Sequence, residues 1–107
     1  KNKFYTPTEE ERAAMDPSNP VYGTYFVFTG KLERFTRQEA AKEIALLGGV
    51  PEGNVTTKTN YLVIGEQDFR IVGQSGQSNK MKKAFELLAK GYEIEILSEL
   101  DFLKLVQ

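Results

Sequence analysis

The sequence predicts an α/β fold: a four-stranded parallel sheet in the order 2-1-3-4, flanked by three helices and preceded by an extra N-terminal helix. Three observations predict it. The runs Thr24-Tyr-Phe-Val-Phe28 and Asn60-Tyr-Leu-Val-Ile-Gly65 are nearly unbroken in apolar residues, the mark of strands covered on both faces. Strand-like and helix-like segments alternate from residue 24 onward, which implies a parallel sheet with helices on its faces. Right-handed crossovers then restrict the order, placing the two continuous apolar strands inside and two weaker ones at the edges.

The elements follow in chain order. Thr6-Pro7-Thr8-Glu9 has helix-start chemistry: threonine as N-cap, proline at the first helical position, glutamate three residues after the cap. Glu10 and Glu11 add favourable charge there, and the short helix, over 7–15, ends at Asp16-Pro17. Residues 1–21 read as an N-terminal extension and 22–107 as the domain proper, with Lys1 read as a cut inside a longer protein. The first strand is 24–28. Thr36-x-x-Glu39 is a capping box for a helix whose Ala40, Ile44 and Leu47 share one face, and Gly48-Gly49 ends it with left-handed backbone. Residues 50–55, with Pro51 and Gly53, make a short edge strand. The strand at 60–65 is followed by a Gly-, Gln- and Ser-rich loop at 66–78. A helix starts near Ser78 with Met81, Ala84, Phe85 and Leu88 on one face, and Gly91 stops it. Tyr92-Glu-Ile-Glu-Ile96 alternates apolar and charged residues, as a half-exposed edge strand does. Ser98-x-x-Asp101 caps a last helix holding Leu100, Phe102, Leu103 and Val106.

The totals bound the function. The chain has 107 residues, 40% apolar and 27% charged, with net charge -1, which suits one ordinary domain. It has no cysteine and no histidine, so a disulfide framework, a thiol nucleophile and the usual general base and zinc ligand are excluded. No run approaches a membrane span and no signal peptide is visible, so an intracellular protein is expected.

Charge is unevenly distributed. Lys31, Arg34, Arg37 and Lys42 lie within 29–42, and Arg70, Lys80, Lys82 and Lys83 lie within 70–83 with no acid among them, while 43–69 and 84–107 are each net -3. Two positive islands on an acidic body suggest a local anion site. In such a sheet, ligands bind beyond the carboxyl ends of the strands. Thr29 and Gly30 stand at that edge of the first strand, the threonine offering a hydroxyl and the glycine an unobstructed N–H. Arg37, in the first turn of the next helix, is placed unfavourably for the helix dipole, and a bound anion would offset that. Lys80 and Lys83 repeat the oddity at the start of the helix after the third strand and share a helix face. Neighbouring strands would bring Thr29, Gly30, Arg37 and Lys80 or Lys83 onto one phosphate. Lys31, Arg34, Lys58, Arg70 and Lys82 are rim candidates.

Other chemistries fit poorly. The stretch Gly73-Gln-Ser-Gly-Gln-Ser-Asn-Lys80 is not a nucleotide P-loop, and Phe28-Thr-Gly30 lacks the further glycines of a dinucleotide fingerprint. Glu9–Glu11 serve a helix start and Glu93 and Glu95 an edge strand, which leaves no carboxylate cluster for metal-dependent nuclease work. No base stands ready to activate Thr29 or Ser78. No catalytic residue and no cofactor are expected.

The segments Tyr25-Phe-Val-Phe-Thr-Gly-Lys-Leu-Glu33, Thr36 to Gly49, Val55 to Gly65, Ser78 to Gly91 and Glu93 to Leu103 resemble a BRCT domain from about residue 22 to 106. The likeness is to the branch found in bacterial NAD-dependent DNA ligases, in the large subunit of replication factor C and in bacterial exonucleases of the DNA polymerase III epsilon type. The resemblance implies the same 2-1-3-4 sheet and a phosphate pocket, with Thr29-Gly30, Arg37, Lys80 and Lys83 at the family's matching positions. It implies a module of a replication or repair protein that binds the 5′-phosphate of duplex DNA, helped by a segment before the domain such as the helix at 7–15. Two features depart from the pattern: Phe102 stands where the family often has tryptophan, and the loop at 66–79 is longer than in many members. The expected partner is DNA, at a 5′-phosphate end, nick or gap, with replication or repair proteins as the alternative. The domain is expected to be non-catalytic, monomeric, away from membranes and, if bacterial, in the cytoplasm with the nucleoid.

Overall fold

Pleating divides each apolar run between two faces, and the two faces meet different helices. Those layers stand in a computed structural model that describes residues 4–65 and 79–106. The strands are β1 (Tyr25–Thr29), β2 (Val50–Glu52), β3 (Tyr61–Ile64) and β4 (Glu95–Ser98). They form one parallel sheet in the order β2-β1-β3-β4, as the pattern of apolar runs predicts. Phe26 aligns with Tyr61 and Thr29 with Ile64, while Tyr61 aligns with Glu95 and Ile64 with Ser98.

The helices are α1 (Glu9–Ala13), α2 (Arg37–Leu46), α3 (Asn79–Ala89) and α4 (Glu99–Val106). Phe26, Phe28, Val63 and Leu97 turn to one face of the sheet, against Ala40, Ala41 and Ile44 of α2 and Phe102 of α4. Val27, Leu62 and Ile64 turn to the other, against Met81, Ala84 and Leu87 of α3. Phe102 is fully buried, and its ring meets Phe26, Phe28 and Phe35 edge-on at 6.0, 5.4 and 6.0 Å between centroids. It is thus the core residue by which α4 packs on the sheet. Burial of one such ring contributes ~1.5–3 kcal/mol.

Several boundaries move for identifiable reasons. The first strand runs one residue later than the apolar run suggests, because Thr29 still pairs with Ile64. The N-cap of α1 is Thr8 rather than Thr6, because Glu11 returns its carboxylate to the Thr8 N–H while Thr8 Oγ1 accepts from the Glu11 N–H. The last strand is displaced from 92–96 to Glu95–Ser98, because pairing with Tyr61–Ile64 sets the register; Tyr92 stays exposed. On α3 the third buried position is Leu87, and Leu88 is exposed. Leu100 of α4 is exposed as well.

Helix ends follow the glycines. Gly48 has φ +95°, and the Gly49 N–H bonds the Ile44 carbonyl at 2.8 Å, closing α2 in a left-handed turn. Gly49 itself is not left-handed; a Cβ there would press on Val21 Cγ1. Val21 is fully buried in the core and Phe4 packs against it, so the N-terminal segment is fastened to the sheet layers. The loop expected at 66–78 and the helix start near Ser78 lie outside the described residues. No helix among the described residues is long and apolar enough to cross a membrane.

Candidate phosphate-binding site

The site begins where β1 ends. Thr29 is buried, and its carbonyl accepts the Gly65 N–H at 2.9 Å. Gly30 follows with φ +79°, a conformation that glycine adopts without the strain a side chain would bring. This turn presents the Gly30 carbonyl to Arg37, whose Nη2 and Nε donate to it at 3.2 and 3.3 Å. Arg37 is the first residue of α2, held there by the reciprocal box of Thr36 and Glu39. Its guanidinium folds back from the helix start to the edge of the sheet. Beside it a hollow of about 410 Å³ is lined by Gly30, Lys31, Leu32, Phe35, Thr36 and Arg37.

Lys80 approaches from the other face of the sheet. It lies in the first turn of α3, and Nζ reaches toward the Phe28 carbonyl at 3.5 Å. Burial, and after it the charge of Arg37, hold its pKa below the ordinary lysine value. Two cations from two helices thus meet at one strand end. Among the described residues neither has a carboxylate as an ion-pair partner.

The remaining predicted residues divide. Lys83 stands one helical turn after Lys80, half-exposed, with Nζ 3.9 Å from Glu86. Lys31 is exposed and lines the hollow, and Arg34 and Lys82 are exposed. Lys58 is exposed at the opposite end of the sheet, in the turn before Asn60, whose N–H bonds the Tyr25 carbonyl. Arg70 lies outside the described residues. The N-terminal helix is also remote. Tyr5, Pro7, Arg12 and Met15 line a groove with Ala45, Gly48 and Val50, at the end of α2 away from Arg37.

The chain also matches a described family. The profile of the BRCA1 C Terminus (BRCT) domain matches residues 16–99. The chain belongs to the BRCT family. This BRCT domain is 42% identical over 85 residues to a DNA ligase of Citrifermentans bemidjiense, covering 79% of the chain and 11% of that ligase. It is 39% identical over 99 residues to a DNA ligase of Desulforamulus reducens, covering 92% of the chain and 13% of that ligase. A DNA ligase of Beijerinckia indica is likewise 39% identical over 99 residues, with 92% and 12% covered. The BRCT chain thus spans only 11 to 13% of these relatives' length.

Two residues beside the candidate site escaped the sequence reading. Glu99 opens α4 and is 2% exposed; its carboxylate accepts the Glu33 and Arg34 N–H groups at 2.8 and 2.7 Å. Nothing in its spacing distinguishes it from a first-turn acid that favours the helix dipole. Gly65 ends β3 against the backbone of Lys31, where a Cβ would collide. The glycine that closes the Asn60–Gly65 run was the only signal available for it. Among the described residues no three acidic side chains gather as a metal site.

Proposed function

We propose that this BRCT domain is a DNA-binding module that takes a phosphate, at a 5′ end, nick or gap, as a non-catalytic part of a larger replication or repair protein. One observation carries the reading: Arg37 and Lys80 are brought to the end of β1 without a carboxylate ion-pair partner among the described residues, at a cost to the proton affinity of Lys80. A perturbed charge held at a ligand-binding edge marks a candidate functional site. A phosphate would accept from the Arg37 guanidinium and the Lys80 ammonium and relieve their repulsion. The Thr29 hydroxyl and the Gly30 N–H border the same edge, and Lys83 can join by leaving Glu86, an exposed pair of little worth.

DNA is the favoured source of that phosphate because the relatives are DNA ligases. In this reading residues 22–107 form the binding domain and 1–21 an extension fastened at its far end. The test is titration of the domain with duplexes that carry or lack a 5′-phosphate. Tighter binding of the phosphorylated end, lost on reversing the charges of Arg37 and Lys80, is the expected result. Equal binding of both duplexes rejects end recognition, and binding of a phosphopeptide alone transfers the site to a protein-interaction role.

A further inference from the structure

The loop from Gly30 to Thr36 carries Lys31 and Arg34 and supplies the carbonyl that holds Arg37. Its shape is fixed from two sides. The Lys31 backbone lies against Gly65 with no room for a Cβ between them. Further along, the successive N–H groups of Glu33 and Arg34 point at one carboxylate, that of Glu99, at 2.8 and 2.7 Å. Two successive N–H groups make a concavity that holds an anion, and here the chain's own side chain fills it. Glu99 is buried, and among the described residues no cation pairs with it. The two backbone bonds compensate its carboxylate for leaving water, and charge-assisted bonds of this length are strong. Glu99 follows Ser98 of β4 without an intervening residue, so its position is set by the sheet. The side chain ties the loop to the far edge of the sheet, while the loop's other end begins at β1.

We propose that Glu99 is a positioning residue for the anion site: its carboxylate sets the loop geometry that turns the Gly30 carbonyl, and with it the Arg37 guanidinium, toward the ligand. The inference rests on the phosphate reading given above. A glutamine cannot reproduce the contact, because its amide offers one acceptor oxygen and turns a donor toward the second N–H.

The experiment compares the wild-type chain with Glu99→Gln and with Leu87→Val, a core change on the opposite face of the sheet. Inorganic phosphate and a 5′-phosphorylated duplex are the probes, titrated well below each Tm. Amide exchange at Glu33 and Arg34 and the NMR signal of Arg37 Nε–H are read alongside. Glu99→Gln is expected to speed exchange at both amides, move the Arg37 signal and weaken phosphate binding roughly tenfold, the equivalent of one lost interaction near 1.4 kcal/mol. Leu87→Val is expected to lower Tm and leave the Arg37 signal and the affinity in place. Unchanged affinity in Glu99→Gln, with a binding wild type, overturns the positioning role alone. A wild type that binds neither probe overturns the phosphate reading and the positioning role together. Should Glu99→Gln fail to fold, Glu99→Asp is measured in its place; it keeps the charge but is one methylene shorter, too short to serve both N–H groups, and the same outcomes decide.

Discussion

Arg37 faces Lys80 across the end of β1, cation against cation. Burial first, and the Arg37 charge second, lower the Lys80 pKa from the ordinary value of 10.5. A lysine of lowered pKa holds its proton less tightly in the folded chain than in the unfolded one. Between the lowered value and 10.5 the unfolded state therefore binds more protons, and stability rises with pH across that window. Lys80→Met removes the repulsion. It is expected to leave Tm unchanged or raised at neutral pH, to flatten the alkaline rise and to weaken phosphate binding roughly 10- to 100-fold, since each charge-assisted bond is worth about 1.5–3 kcal/mol. Thermal melts against pH, with and without phosphate, read all three effects. A sharp loss of neutral-pH stability would show that Lys80 is structural instead.

DNA affinity should fall only modestly with salt. Few cations surround the site, so about two to four phosphates are expected to be neutralised, giving a log–log slope of roughly -2 to -4. Fluorescence anisotropy at several salt concentrations measures it. A slope much steeper than this would mean a broad backbone-binding face and would remove the special place of Arg37 and Lys80.

Gly65→Ala should damage both the fold and the site. The added Cβ meets Lys31 backbone atoms rather than a flexible side-chain tip, so the strand end and the loop must part. A cost of about 1–3 kcal/mol is expected, as for other overpacked positions, together with weaker phosphate binding. Urea unfolding with a parallel titration tests it; a variant that keeps wild-type stability shows the loop to be compliant.

The attachment of α1 should respond to acid. Glu11 accepts from the Tyr5 hydroxyl and from the Thr8 N–H, and these bonds, the tyrosine's first, hold its pKa below the usual glutamate value. The same bond raises the Tyr5 pKa. A carboxylate of lowered pKa contributes stability above its unfolded value and loses it as pH falls through the folded one. The Thr8 amide signal is expected to titrate with Glu11 below the ordinary glutamate range, and Glu11→Gln to abolish that titration. A Thr8 transition at the ordinary glutamate value would show that the contact does not persist in solution.

Legibility followed the range of the interaction. The Thr36–Glu39 box acts within one turn and was readable from four letters. The Thr8–Glu11 box competed with Thr6 and Pro7, and only the reciprocal carboxylate of Glu11 decided between them. β4 was misplaced because Tyr92-Glu-Ile-Glu-Ile96 alternates well in isolation, whereas pairing with Tyr61–Ile64 is non-local. At the site, helix-start cations at Arg37, Lys80 and Lys83 stood out as local anomalies, and the predicted strand order indicated that Arg37 would meet one of the two lysines without saying which. Glu99 could not stand out: its role depends on N–H groups more than sixty residues earlier.

The double anchoring of the loop between Gly30 and Thr36 has a kinetic consequence. Order there is established when the domain folds, through Gly65 and Glu99, and little is left to settle when an anion arrives. Association with phosphate should then be a single fast phase whose rate rises linearly with concentration, without the plateau that a slow rearrangement imposes. Under the proposed phosphate reading, a site with so few charges would release its ligand readily as well.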